Sequence, residues 1–408
     1  MKKRFLLLLL LSGTLCFFSA STVQAQFTIS GEFRPRPEYR NGYIQPGDSS
    51  MHGYPVILGR SRISFDYSNE KISTRFSLQH AFVFGENNFS SDTISKNTVN
   101  IFEGWFKYSF TKDFSVRIGR MVLNYDDQRV LGASNWKQWG STHDAVIAGW
   151  SKPGFNYKGD FGFAINNAAP ASTYLSSYNL KNYKYMAYLW QQKKFLNDAL
   201  SVSVTLIMDA QQKPSTTTNQ TTSQTLFIVN AEDSIIGTTV IKTTSKVLEN
   251  YPNTLYARAT AGAYAIYSMK NLTLSGSIYY QGGHYKDGRK LTALFAGGYV
   301  SYQIIKPLRL LVGFEHLSGN DLSDTTTLKT KVKGFSTLWG TNHGFYGYMD
   351  TYSSYLGKDA LQYGLNDLYF RGTVSFSAKT SLEATYRMFS LPYGYLPAST
   401  GKTPYQTV

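Results

Sequence analysis

The residues most able to do chemistry form a row near the start of the chain. Glu32, Arg34, Arg36, Glu38 and Arg40 share one parity, and Phe27, Ile29, Gly31, Phe33, Pro35, Pro37 and Tyr39 share the other. A guanidinium offers a planar fork of donors, remains charged at any relevant pH and grips carboxylates with two parallel hydrogen bonds. The chemistry on offer is therefore anion binding. A period of two puts the two parities on opposite faces of a β-strand, one fully ionic and one suited to lipid. Pro35 and Pro37 lack N–H donors, so pairing beside them is expected to be weak or bulged.

The pattern recurs along the chain. Arg60, Arg62 and Asp66 oppose Ile57, Ile63, Phe65 and Tyr67; Glu103 and Lys107 flank Trp105 against Phe102, Phe106, Tyr108 and Phe110. Arg258 shares a row with Tyr256, Thr260 and Tyr264, opposite the alanines at 257, 259, 261, 263 and 265. Arg309 and Glu315 oppose Leu308, Leu310, Val312 and Phe314; Asp367 and Arg371 oppose Leu368, Phe370, Val374 and Phe376; Glu383 and Arg387 oppose Leu382, Ala384, Tyr386 and Met388. In one strand such charges would read as the solvated face of a soluble sheet. Repeated in about seven strands, always against an aromatic and aliphatic row, they point to a membrane barrel. A charge facing lipid at mid-membrane costs roughly 2–4 kcal/mol, so the ionic rows are expected to face a lumen.

The ends of the strands agree. Short connections such as Thr111-Lys112-Asp113, Asn197-Asp198 and Lys306-Pro307 alternate with long ones, including Asn41–Tyr54, Gly85–Thr98, Tyr125–Gly140, Asn167–Leu180, Gln211–Asn253 and Ser318–Gly364. Short periplasmic turns and long extracellular loops are the barrel arrangement. About 15 or 16 antiparallel strands are expected, with a small surface hairpin, Leu226–Asn230 against Thr239–Thr243, inside one long loop.

Composition and targeting fit an all-β outer-membrane protein. Lys2, Lys3 and Arg4 precede an apolar stretch from Phe5 to Phe18, and Val23-Gln24-Ala25 is a small-x-small cleavage site. Residues 1–25 thus read as a secretory signal. Cys16, the only cysteine, lies within it and follows Leu15, where a lipoprotein signal has Gly or Ala. The mature chain has no disulfide framework. Its 38 basic against 26 acidic residues leave a net charge of +12. Mean hydropathy is −0.27, low for helical spans, while Tyr 31, Phe 26 and Gly 34 suit a barrel with aromatic girdles. Export argues against a nucleic-acid partner. Six histidines without a mature cysteine argue against a zinc site, and no nucleophile elbow accompanies Ser336, His343 and Asp350. No cofactor and no enzymatic activity are expected. Asp126-Asp127 reads either as an ion-pair partner for Arg129 and other arginines or as oxygen ligands for calcium.

One run carries a family resemblance. Arg117-Ile118-Gly119-Arg120 is followed by Asp126-Asp127-Gln128-Arg129, Gly132, Trp136 and His143-Asp144-Ala145. Glu315-His316-Leu317-Ser318-Gly319-Asn320-Asp321 and the stretch from Trp339 to Asp350, with Gly364-Leu365-Asn366-Asp367 after it, extend the match. With these motifs the chain resembles the alginate export family of outer-membrane barrels, over nearly all of residues 26–391. The resemblance implies an 18-strand monomer in the outer membrane of a Gram-negative-type bacterium. It also implies an arginine-rich passage for an acidic polysaccharide, with periplasmic export machinery as a further expected partner.

The expected passage is lined by Glu32, Arg34, Arg36, Glu38, Arg60, Arg62, Arg75, Glu103, Arg258, Arg309, Glu315, Asp367, Arg371, Glu383 and Arg387. Arg117, Arg120, Asp126, Asp127 and Arg129 are expected at its constriction; Arg117 and Arg120 differ in parity, so a bulge separates them or only one faces inward. A barrel plugged by its loops is the alternative to an open pore. After the last clear strand, Ser381–Leu391, residues 392–408 read as an irregular tail in place of the family's closing strands.

Overall fold

The computed structural model describes residues 26–41, 52–85, 99–166, 182–213, 216–229, 235–249, 254–321, 323–348 and 363–393. The signal, most of the three loops expected at Asn41–Tyr54, Gly85–Thr98 and Asn167–Leu180, and the tail beyond residue 393 lie outside the described residues.

The chain forms two compact units: residues 1–160 with Trp339–Thr341, and residues 161–338 with 342–408. The first holds β1 (Gln26–Arg40), β2 (Tyr54–Ser68), β3 (Ile72–Val83), β4 (Asn100–Ser109), β5 (Phe114–Met121) and β6 (His143–Lys152), and the boundary falls within β7 (Tyr157–Ile165). The second holds β8 (Tyr185–Phe195), β9 (Leu200–Gln212), β10 (Thr216–Val229), β11 (Ile235–Glu249), β12 (Leu255–Met269), β13 (Leu272–His284), β14 (Lys290–Ile305), β15 (Leu308–Leu317), the helix α1 (Thr325–Thr330), β16 (Lys331–Val332), β17 (Leu365–Ser375) and β18 (Ser381–Ser390). One 16-stranded sheet runs from β1 to β9 in sequence order, then through β12–β15, β17 and β18. The two-residue β16 joins it parallel to the start of β14. Up-and-down neighbours joined by short turns explain the order: each strand pairs with the next in sequence as soon as it can.

In the first unit the alternation read from sequence is realised. Phe33, Ile57, Ile63, Phe106 and Ile118 are exposed, while Arg60 on the other face is 1% exposed. An apolar face left bare opposite a buried ionic one is the inverse of a soluble sheet and suits lipid. Two local expectations change. β1 pairs with β2 without a register shift, Pro35 opposite Gly59 and Pro37 opposite Ile57. Prolines two residues apart direct their nitrogens to the same side, so both can point away from β2 and cost that ladder nothing. A bulge does occur between β3 and β4, where Ser77 faces Glu103 but Leu78 faces Ile101. It moves Phe102 out of the apolar row, where its parity had placed it, and onto the ionic face, where it is 6% exposed.

In the second unit Val204, Leu206 and Met208 of β9 are exposed, while Thr205, Ile207 and Asp209 are buried. Inside the ionic face lies an aromatic core. The ring of Tyr279 sits 6.1 Å from Phe295, and Phe295 sits 5.5 Å from Phe335. β10 and β11 form a separate hairpin much longer than the small one expected, with Leu226 opposite Thr239 and Thr216 opposite Glu249. The Thr- and Ser-rich run lacks an apolar alternation, which hid it, but β-branched threonine favours extended backbone.

Because the apolar faces meet lipid, Val312→Arg in β15 is expected to destabilise the protein by about 2–4 kcal/mol, as for a charge near the bilayer midplane. Urea unfolding in vesicles measures it. A stability unchanged from the parent would mean that this face does not meet lipid.

Candidate functional site

The ionic face of the first unit carries a connected set of ion pairs. Glu32 on β1 accepts from Arg60 Nε at 2.8 Å and lies 3.9 Å from Arg62 and 4.0 Å from Arg34. Glu38 lies between Arg36 and Arg40, which approaches it to 2.8 Å. Arg62 bonds Gln79 and stacks its guanidinium 3.6 Å above the Phe102 ring, so the bulge in β4 supplies its platform. Arg75 bridges Asp66 at 2.7 Å and Glu103 at 3.3 Å. Glu103 also accepts from the Trp105 indole and from the backbone N–H of Val122. Arg117 stands apart: it lies 5.4 Å from the Trp105 ring, opposite Lys107, and among the described residues no carboxylate pairs with it.

Three of these arginines also hold a loop. The segment between β5 and β6 presents main-chain carbonyls to them. Arg34 donates to Asn135 O and Lys137 O, each at 2.8 Å, Arg36 to Trp136 O at 3.1 Å, and Arg60 to Asn135 O and Lys137 O at 3.2 Å. Gln79 adds a bond to Trp139 O. On its other side the loop pairs with Trp339–Thr341: Leu131 bridges Trp339, and the Trp136 indole donates to Thr341 O at 2.8 Å. The two segments approach so closely that a Cβ on Gly340 would lie 2.2 Å from Arg129 O, and one on Gly132 2.7 Å from Thr341 N. The glycines of both motifs thus serve a backbone-to-backbone contact.

Asp126, Asp127 and Arg129 belong to that loop. Asp126 and Gln128 adopt left-handed φ of 51° and 62°, which turns the chain sharply. Asp127 accepts from the Arg129 N–H and pairs with its guanidinium at 3.7 Å. Arg129 is 4% exposed, packed within the loop. Arg120 departs from the expected constriction. Its register in β5 is unbroken, so it shares the apolar face with Ile118 and is 44% exposed. There it forms a bidentate pair with Asp144, 2.8 Å for each bond, and donates to the bulge carbonyl of Ile101 at 3.4 Å. Of the two arginines only Arg117 faces the ionic side.

The second unit repeats the arrangement with its own loop. Arg258 and Asp209 form a buried fork, both bonds 2.9 Å, with side-chain exposures of 5% and 0%. Arg371 pairs with Glu383 at 3.3 Å, and Arg387 pairs with Asp367, donates to Gly344 O and lies 4.6 Å from the Tyr369 ring. Glu315 is buried at 4%. Arg309 bonds Gln303 and Ser301, and like Arg117 it pairs with no carboxylate among the described residues. Gln281 clasps Ser336 through both its amide atoms, at 2.8 and 2.9 Å, drawing the segment after β16 onto the ionic face. Ahead of that segment, Asp324 caps α1, and its hydrogen bond from Thr327 holds the carboxyl below its ordinary pKa.

Sequence reasoning missed Asp209, Gln79, Gln281 and Phe102 as parts of this surface. Asp209 was findable, since it shares parity with Ser203 and Thr205 and opposes Arg258 in the β9–β12 register. The glutamines carry no charge to mark them, and Phe102 was hidden by the bulge.

Residues 25–391 match the family described as alginate export. The chain belongs to the alginate export family. Its fold class is accordingly a transmembrane antiparallel β-barrel, placed in the outer membrane of a Gram-negative bacterium. None of the curated proteins matches the sequence. Similar solved structures include the anion-selective porin from Comamonas acidovorans, at 10% identity and TM-score 0.48, with 90% of each chain covered. OmpT of Vibrio cholerae in its trimer form is 9% identical at TM-score 0.45, covering 90% of this chain and 89% of that one. OmpF of Salmonella typhi in complex with daunomycin is 10% identical at TM-score 0.44, covering 90% of each. With identities and scores this low, classification rests on the family match.

Within this alginate export family barrel, removing one partner of a buried fork strands the other charge. Asp209→Ala is expected to cost about 3–5 kcal/mol. The double variant Asp209→Leu with Arg258→Met should recover most of that. Denaturant titration of the three forms checks it; equal loss in the single and double variants would show that packing, not charge, sets the cost.

Proposed function

We propose that this outer-membrane channel carries an anionic polysaccharide or oligosaccharide, alginate-like in its repeated carboxylates, along an arginine-lined lumen. The observation that carries the reading is the ionic face itself: arginines recur along it, most with a carboxylate neighbour. Conduction requires attraction strong enough to admit an ion and weak enough to release it, which many shared sites provide. A guanidinium already bound to Glu or Asp offers a passing carboxylate only its remaining donors. Arg117 and Arg309, which have no carboxylate partner among the described residues, are the positions best placed to grip the polymer in turn. Both lie near the short-turn ends of β5 and β15, the end at which a polymer leaving the periplasm would enter.

A second reading, a barrel closed by its own loops, is favoured by the carbonyls of residues 135–137 that occupy Arg34, Arg36 and Arg60. The two readings differ in current. Single-channel recording in planar bilayers is expected to give a small anion-selective conductance, with reversal potentials in a salt gradient reporting the sign. Arg34→Gln with Arg36→Gln is expected to raise it by loosening the loop. Arg117→Gln with Arg309→Gln is expected to weaken polyuronate block by about tenfold, the equivalent of about 1.4 kcal/mol. Cation selectivity would overturn the anionic cargo, and absence of current in every variant would favour the closed barrel.

A further inference from the structure

The short turns share a feature that the ionic face does not explain. In the first unit Lys71 lies in the β2–β3 turn, Lys112 in the β4–β5 turn, and Lys152 ends β6 before the β7 turn. In the second, Lys194 ends one residue short of the last position of β8, Lys270 and Lys306 stand in the β12–β13 and β14–β15 turns, and Lys379 in the β17–β18 turn. Each of these seven short turns between described strands therefore has a lysine within it or within the last two residues of the strand that enters it, and every one of these lysines is exposed. Among the described residues none of them takes part in an ion pair, although Glu70 and Asp113 sit directly beside Lys71 and Lys112. Only Glu70, Asp113 and Asp198 oppose them in charge at these turns.

Six of the seven lysines, all but Lys71, come with exposed apolar companions. Phe110 and Phe114 flank Lys112, Phe155 follows Lys152, and Leu196 follows Lys194. Met269 precedes Lys270, Ile305 precedes Lys306, and Phe376 precedes Lys379. Each of these apolar side chains is at least 40% exposed. In a membrane barrel such side chains mark the edge of the hydrocarbon band. A lysine within three residues of that edge stands near headgroup depth, and its flexible stem lets the ammonium reach a phosphate while the methylenes stay in the boundary.

We infer that the short-turn end of the barrel is a docking surface for anionic phospholipid headgroups of the periplasmic leaflet. Lysine suits this better than arginine, being a mobile point charge without a demand for fork geometry. A lysine close to an anionic lipid surface contributes about 1 kcal/mol, and one at every turn multiplies that into a preference for one lipid class and a fixed depth in the bilayer. A cargo polyanion fits the observations less well, because the cations facing its path are the inward Arg117, Lys107 and Arg309, whereas the turn lysines keep company with lipid-facing side chains.

Native mass spectrometry tests the inference. The full-length protein, purified in mild detergent from vesicles of four parts phosphatidylethanolamine to one of phosphatidylglycerol, is expected to retain phosphatidylglycerol about tenfold over its share in the vesicle. Replacing all seven lysines by Gln should abolish the enrichment, whereas Lys184→Gln with Lys290→Gln, at the loop ends, should leave it. Should the sevenfold variant not fold, Lys270→Gln with Lys306→Gln keeps the test open through a partial loss. Enrichment unchanged by either set of turn substitutions would overturn the inference. So would turn variants that keep the lipid but lose polyuronate block, since that would make the lysines a cargo entrance. Lipid retention is measured without cargo, so it stands or fails independently of the transport reading.

Discussion

Lipid on one side of the sheet forbids charge there, and nearly every feature of this protein follows from that constraint. A strand has only two faces, so the charges are concentrated on the other. Once gathered, the guanidiniums repel one another and must find partners on their own face. Glu32 among Arg34, Arg60 and Arg62, and Asp209 beneath Arg258, are local solutions to that crowding. Each partner takes up donors of its arginine, so a guanidinium in such a pair presents only part of its fork to anything else.

Arg120 and Asp144 show what breaking the rule requires. They stand on the apolar face, but as a bidentate pair without net charge, with Arg120 Nη1 also donating to the Ile101 carbonyl. That carbonyl lies at the bulge that also turns Phe102 beneath Arg62. One extra residue in β4 therefore does two things: it builds an aromatic platform on the ionic face, and it leaves a backbone acceptor on the apolar face that an arginine satisfies.

The arginines of β1 and β2 have a second role beyond electrostatics. By donating to the carbonyls of Asn135, Trp136 and Lys137 they convert a long loop into a lining of the ionic face. Main-chain carbonyls make these bonds whatever the side chains are, so the loop's register depends on backbone shape. Gly132 and Gly340 permit that shape by letting two loop segments touch without side chains between them. In the second unit Gln281 plays the corresponding part with the amide of Ser336.

Sequence alone determined the fold class and the strand alternation, because period two and the cost of charge in lipid are local rules that each strand obeys by itself. It also marked the family through its loop motifs. Tertiary structure decided what those rules leave open. Whether Arg117 or Arg120 lies on the ionic face of the sheet depended on an unbroken register across three strands. Phe102 changed faces through a bulge set by the pairing of β3 with β4, which no pattern within β4 reveals. The long β10–β11 hairpin escaped notice because threonine-rich strands lack an apolar row to count. That Arg34, Arg36 and Arg60 hold a loop 75 to 103 residues away could not be read from spacing, since a carbonyl acceptor leaves no trace in the identity of the residue that bears it.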